Sequence, residues 1–320
     1  MQVSDVDVRL RRALLVGNVT RPESARSAAH IVVAWAMYIG LAVLIHRADH
    51  LAVSVVGWFV MGWLLLGNGA MVHETLHGHL FRSAWLNDVV GVLAGLSVGL
   101  PFGLYRAYHL GHHRHSVTAD DPEGPPYVFA NRWIYLAIPF GGLLFVVQLH
   151  WWALRCAFGR PPVFVGPRHR RAAARDGLLG LAVFAGLAVL GARDLGLLVD
   201  VWLAPWLFVV VVLEPFVLLP EHYGARAEDA ASPSHTTRTI VSNPIVTWVY
   251  WANNFHTTHH LAAGLIPQRI PSLSRDVVVP SLTPQWVDSG YLRFHWQLFA
   301  QPARYAPCAA PVQSGDAPDG

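Results

Sequence analysis

Residues 28–46 (AAHIVVAWAMYIGLAVLIH) and 51–72 (LAVSVVGWFVMGWLLLGNGAMV) constrain this chain more than any other feature. Each approaches the ~20 residues that a helix needs to cross a bilayer, and the connector RADH joins them as a tight hairpin. Residues 177–192 and 195–219 form a second apolar pair, long enough to cross and return with slight tilt or kinking. Two further stretches, 88–105 and 133–154, are interrupted by glycine and proline (LSVGLPFGLY, AIPFGGLLF). Read as re-entrant or interfacial segments, they leave only Arg47 and Arg193 of the 23 basic residues, all arginine, in outer connectors, which satisfies the positive-inside rule. The expected fold is an all-α integral membrane protein: about four transmembrane helices plus two re-entrant or interfacial helices, with a cytoplasmic helical cap.

Composition narrows the function. Only 13% of residues are charged, about half the share in an average soluble domain. A net charge of +3 without a basic tract interleaved with base-stacking aromatics excludes nucleic acid as a partner. With only Cys156 and Cys308, the chain has no disulfide framework, cysteine zinc ribbon or iron–sulfur quartet. Residues 1–27 read as an arginine-bearing cytoplasmic tail without a cleavable signal, 28–300 as the membrane domain, and 301–320 as a disordered tail rich in proline, alanine and glycine.

Any metal must therefore sit on other ligands, and the 18 histidines are clustered. His73 and His77 in HETLHGH lie one helical turn apart. His109, His112 and His113 in HLGHHRH stand at i, i+3 and i+4, and His256, His259 and His260 in HTTHH repeat that spacing. On a helix these spacings put the rings on one face, within reach of a shared ion. His222 in EHYG follows the fourth span. A full crossing by 88–105 would separate the first cluster from the second across the membrane. Alone, HExxH also fits a zinc protease with Glu74 as base, but a catalytic zinc takes three protein ligands and leaves most of these imidazoles unused. Nitrogen donors by themselves suit zinc, copper, iron or nickel.

The pattern HxxxH, HxxHH, HxxHH between apolar spans resembles the membrane fatty acid desaturase and hydroxylase superfamily. TRTIVSNP (237–244) and HHLAAGLIPQRIPSL (259–273) are similar to the stretches flanking the last histidine box of bacterial acyl-lipid desaturases, and EHYG resembles a motif of the membrane alkane monooxygenases. The resemblance implies that the cap carries the histidine boxes, and that His73, His77, His109, His112, His113, His222, His256, His259 and His260 ligate two iron ions. It implies dioxygen as co-substrate, an unactivated C–H bond of a fatty-acyl or lipid-like substrate as the target, desaturation as the outcome and hydroxylation as the alternative. The site is then expected on the cytoplasmic side of the membrane. No haem-binding HPGG segment or cysteine cluster is present, so electrons come from a separate protein of ferredoxin, rubredoxin or cytochrome b5 type.

Ligating imidazoles commonly donate their second N–H to a carboxylate or carbonyl. Residues expected in that supporting layer are Glu74, His79, His115, Asp120, Asp121, Glu123, Glu221, Asn253 and Asn254. Glu214, an ionisable group in an apolar run, is expected along a substrate channel; Trp248, Tyr250, Trp251 and Phe255 are candidates for the same channel, with packing against the spans the favoured reading. An intramembrane zinc protease would need a further aspartate ligand in a motif such as NxxPxxxxDG, which NPIVTWVYWANN lacks. A metal transporter would place its ligands inside the spans rather than at one face.

Overall fold

A computed structural model describes residues 5–15, 19–48, 50–124 and 133–305. Its first helix, α1 (Asp5–Leu14), occupies part of the expected amino-terminal tail and buries Leu10 and Leu14. Helices α2 (Ser24–Arg47) and α3 (Leu51–Leu76) form the first hairpin. They are followed by α4 (Ala84–Val98), α5 (Phe102–His115), α6 (Ile138–Ala157), α7 (Pro167–Arg193) and a long helix, α8 (Leu195–His222). Five helices are long and apolar enough to cross a bilayer: α2, α3, α6 with its leading turn, α7 and α8.

The expectation of four such helices is thus one short. Residues 135–157, expected to be re-entrant or interfacial, form a 23-residue apolar helix. Pro139 does not break it, because it sits in the first turn of α6, where a missing N–H removes no helical bond. Gly142 serves contact rather than flexibility. A Cβ there would overlap the Val210 carbonyl oxygen of α8. Gly142→Ala is expected to push α6 from α8 and to cost about 1–3 kcal/mol, read as a lower midpoint of thermal unfolding in detergent.

The stretch 88–105 is bent rather than straight. Ser83 caps the start of α4 by accepting from the Leu86 N–H, and Gly99, at φ 77°, ends it in the left-handed conformation. Pro101 then opens α5, whose axis lies at 99° to that of α4. An Arg106–Asp88 ion pair of 2.9 Å ties the two arms together. Buried Asp176 of α7 accepts the Gly103 N–H at the exposed-dipole end of α5.

Three prolines shape α8. Each lacks the N–H that would bond the carbonyl four residues earlier. The helix widens into π turns over Val199–Leu203 and Phe208–Leu213, close before Pro205 and Pro215. The Val201 carbonyl, orphaned by Pro205, accepts from the Tyr38 hydroxyl at 2.7 Å. The Phe216 carbonyl, orphaned by Pro220, accepts from His295 Nε2 at 2.7 Å. Such compensation is what permits proline within an apolar span.

Beyond α8 lie the short helices α9 (Pro244–Val249) and α10 (His256–Leu261), then α11 (Tyr291–Ala300). A two-residue parallel pair, Thr239–Ile240 with Val287–Asp288, joins this region. Arg238 pairs with Asp288 at 2.9 Å and lies over the rings of Trp286, Phe294 and Tyr305. It also donates to the Tyr223 carbonyl, so it braces the end of α8 that carries His222. Leu10 and Leu14 of α1 pack in one cluster with Phe255, Leu261 and Leu265 around α10. Of the tail expected at 301–320, residues 306–320 lie outside the described residues, while the Tyr305 hydroxyl donates to Asp288 at 2.9 Å.

Candidate metal centre

The end of α3 builds the first part of the site. His73 and His77 follow each other by one turn, and the helix stops at Leu76. Gly78 then takes φ 79°, a left-handed conformation that a side chain would strain. This reversal brings His79 back beneath the helix, where its Nδ1 meets Glu74 Oε2 at 2.8 Å and its Nε2 meets the Ala263 carbonyl at 2.9 Å. Neither nitrogen of His79 is left for a metal. Glu74 is fully buried and also accepts from His73 Nδ1 at 2.8 Å. Its carboxylate is thus held between two rings, not free to act as a protease base.

All nine box histidines converge. They form two groups, His73, His77, His109, His113 and His259 in one, and His112, His222, His256 and His260 in the other. Within each group one nitrogen per ring lies within 4.8 Å of all the others. The helices α5 and α10 each serve both groups. In α5 the i and i+4 members, His109 and His113, enter the five-histidine group, and His112 enters the other. In α10 the pair His256 and His260 enters the four-histidine group, and His259 crosses to the five.

The donor chemistry suits a cation. His112 Nδ1 faces both oxygens of Asp121, at 2.9 and 3.1 Å, and His222 Nδ1 faces the Thr236 carbonyl at 2.8 Å. Both partners only accept, so each Nδ1 carries the hydrogen and, in a neutral ring, each Nε2 presents a lone pair. Those two Nε2 atoms point at each other 3.1 Å apart. Two lone pairs at that distance repel unless a proton or a metal ion lies between them. The other close pairs are His256–His222 at 3.0 Å, and His113–His109 and His259–His113 at 2.9 Å. Nitrogens bound at about 2.1 Å to one ion and at right angles stand about 3.0 Å apart, against about 3.4 Å in a tetrahedron. The buried Nε2 atoms of His73, His77 and His260 have no hydrogen-bond partner among the described residues. Burial first, and then the neighbouring imidazoles, hold His77, His256, His259 and His260 well below the ordinary histidine range, so these rings are neutral donors. The residues present fit a pair of metal ions.

The supporting layer is smaller than expected. Asp121 orients His112 and accepts the N–H groups of Val117 and Glu123, which fold the DDPE turn around it. The Glu123 carboxylate lies 3.5 Å from His112 Nδ1. Glu221 accepts from the Tyr250 hydroxyl at 3.0 Å and lies 3.7 Å from His256. Asn253 donates towards Glu74 at 3.4 Å and to the Tyr250 carbonyl at 3.1 Å. Three residues fall outside the site. His115 ends α5 and faces solvent, Asp120 points outward where Asp121 points in, and Asn254 donates to the Ile240 carbonyl, bracing the strand.

A cavity of about 580 Å³ opens from the histidines into the apolar part of the protein. Leu66 and Ala70 of α3, Gly141 and Phe145 of α6, and Val210 and Leu218 of α8 are among its walls. Glu214, as expected, and Tyr250 line it; Trp248, Trp251 and Phe255 do not. The two tryptophans sandwich His30 of α2, with ring centroids at 4.1 and 3.8 Å, and Phe255 is fully buried under α10. Tyr105, stacked on His109, lines the cavity and was not expected there; its place depends on the bend between α4 and α5, which leaves no local mark at residue 105.

Known proteins resemble this chain in sequence. Over 262 residues the chain is 24% identical to an sn-1 oleoyl-lipid 12-desaturase of Anabaena variabilis, covering 76% of this chain and 73% of that protein. Over 248 residues it is 25% identical to a beta-carotene ketolase of Paracoccus sp., covering 76% and 88%. Over 143 residues it is 26% identical to a sphingolipid delta(4)-desaturase DES1-like protein of Arabidopsis thaliana, covering 41% and 38%. The fatty acid desaturase family model matches residues 50–287, a span that contains all nine converging histidines. With its membrane-length helices, its paired histidine groups and this match over most of its length, the chain belongs to the fatty acid desaturase family.

Proposed function

We propose that the protein is an oxygen-dependent oxidoreductase of the membrane, with two iron ions on the nine histidines, that desaturates a fatty-acyl or lipid-like chain. The observation that carries this reading is the convergence of nine histidines into two groups at the end of a largely apolar cavity. When bound, the ions supply the oxygen activation that no side chain can. The chain's own residues do the rest. Glu74, Asp121 and the Thr236 carbonyl fix the rings of His73, His112 and His222 through their Nδ1 hydrogens. The cavity walls exclude water and hold a methylene against the histidine end. The site is read as facing the cytoplasm. Electrons arrive from a separate ferredoxin-, rubredoxin- or cytochrome b5-type protein, for which the exposed Arg168, Arg170, Arg171 and Arg175 offer an acidic partner a landing surface.

Hydroxylation by the same site is the second reading, supported by the likeness to a beta-carotene ketolase. Lipid profiling by mass spectrometry, after expression with a reductase system, separates the two. A loss of about 2 Da marks desaturation and a gain of about 16 Da marks oxygen insertion. Purified protein that holds zinc alone, or lipids unchanged despite a full iron load and an active donor, would defeat the proposal.

The mouth of the cavity gives a further check. Gly141 lines the cavity, and a Cβ built on it meets nothing within 4 Å. Gly141→Trp is expected to fill that space and to reduce turnover about ten-fold or more, with iron content unchanged by elemental analysis.

A further inference from the structure

Two polar groups in the cavity wall have no task in the chemistry above. Glu214 of α8 lies eight residues before His222, about 12 Å of helix rise, and Tyr105 opens the same cavity from α5. The apolar lining of the same cavity includes Ile138, Gly141, Phe145, Val210 and Leu218. Among the described residues, neither the Glu214 carboxyl nor the Tyr105 hydroxyl has a hydrogen-bond partner. A carboxyl group left unpaired inside an apolar segment is costly, and a plain hydrocarbon chain in the cavity would leave it unpaired. An oxygen atom on the chain would not.

Resting on the proposed function, we infer that the substrate is an oxygenated lipid, whose hydroxyl or carbonyl is held by Glu214 and Tyr105 at a fixed distance from the histidine end. Carboxyl and phenol together offer donors and acceptors to either group. The anchored oxygen then sets which methylene reaches the metal centre. Glu214 and Tyr105 are specificity-determining residues in this arrangement and not metal ligands.

The test reads binding rather than turnover. Iron-loaded protein in lipid nanodiscs is titrated with stearate, with hydroxystearates whose hydroxyl is moved stepwise along the chain, and with the matching oxostearates, each displacing a fluorescent fatty acid. Wild type is expected to bind one oxygen position on the order of ten-fold more tightly than stearate, the worth of one or two hydrogen bonds. Glu214→Leu should abolish that preference while iron content and stearate binding persist. Glu214→Gln should keep most of it, because the amide still donates and accepts, and Tyr105→Phe should keep part. Equal binding of all compounds by wild type, failure of all of them to displace the probe, a preference that survives Glu214→Leu, or loss of iron in that variant each overturns the inference. Iron-replete wild type without a preference sinks this inference alone. Protein without iron sinks the proposed function, while the displacement series can still be read.

Discussion

His260→Ala is expected to leave the purified protein with about one metal ion instead of two and to reduce turnover on the order of a thousand-fold or more. His260 is one of only four imidazoles in its group, and its removal leaves His112, His222 and His256. The five-histidine group has a ligand to spare by comparison. His77→Ala should therefore release less metal than His260→Ala when both are dialysed against the same chelator and assayed by elemental mass spectrometry. Full retention of two ions and of activity by both variants would remove these rings from the metal centre. The same comparison made with His115→Ala should show no change, since that ring faces solvent.

Glu74→Leu is expected to have the next largest effect, although Glu74 offers nothing to a metal. The carboxylate is fully buried and accepts from His73 and His79 at 2.8 Å each. Leucine would strand two buried N–H groups, each at a cost of about 1–3 kcal/mol, and free His73 to rotate. Loss of such an outer partner typically lowers metal affinity or activity about 10–100-fold. Competition with a calibrated chelator measures the affinity, and thermal unfolding of the metal-free form measures the fold. Glu74→Gln should fall between, because one amide oxygen still accepts while the amide nitrogen faces a donor. Wild-type metal affinity in Glu74→Leu would show that His73 needs no such support.

Much of this site was legible because ligand spacing follows helix geometry. His73 with His77, and the i, i+3, i+4 sets at 109–113 and 256–260, share faces as that geometry requires. The same geometry hid how the sets divide. Residues 112 and 113 lie on one face, yet they serve different groups, and only the packing of α5 against α3, α8 and α10 shows which goes where. For Trp248, Trp251 and Phe255 the sequence favours packing over a channel, although aromatic residues near a ligand box suit both; the contact with His30, more than 200 positions away, decides it for the tryptophans. Asp120 and Asp121 are indistinguishable as letters, and the turn at Thr118–Asp121 selects the second. At 135–157, glycine and proline suggested interruption, but proline at a helix start and glycine at a helix crossing are both compatible with an unbroken rod.

The division of adjacent histidines between the two groups has a mechanical result. His112 and His113 are covalent neighbours, as are His259 and His260, so the gap between the two groups is spanned twice by single peptide links. Backbone bonds do not stretch, and helices α5 and α10 act as two rigid callipers clamped across the same interval. Substitutions elsewhere can loosen the walls or change the guest, yet they cannot readily alter the spacing of the two histidine groups. The cavity can therefore change its guest while the two histidine groups keep their gauge.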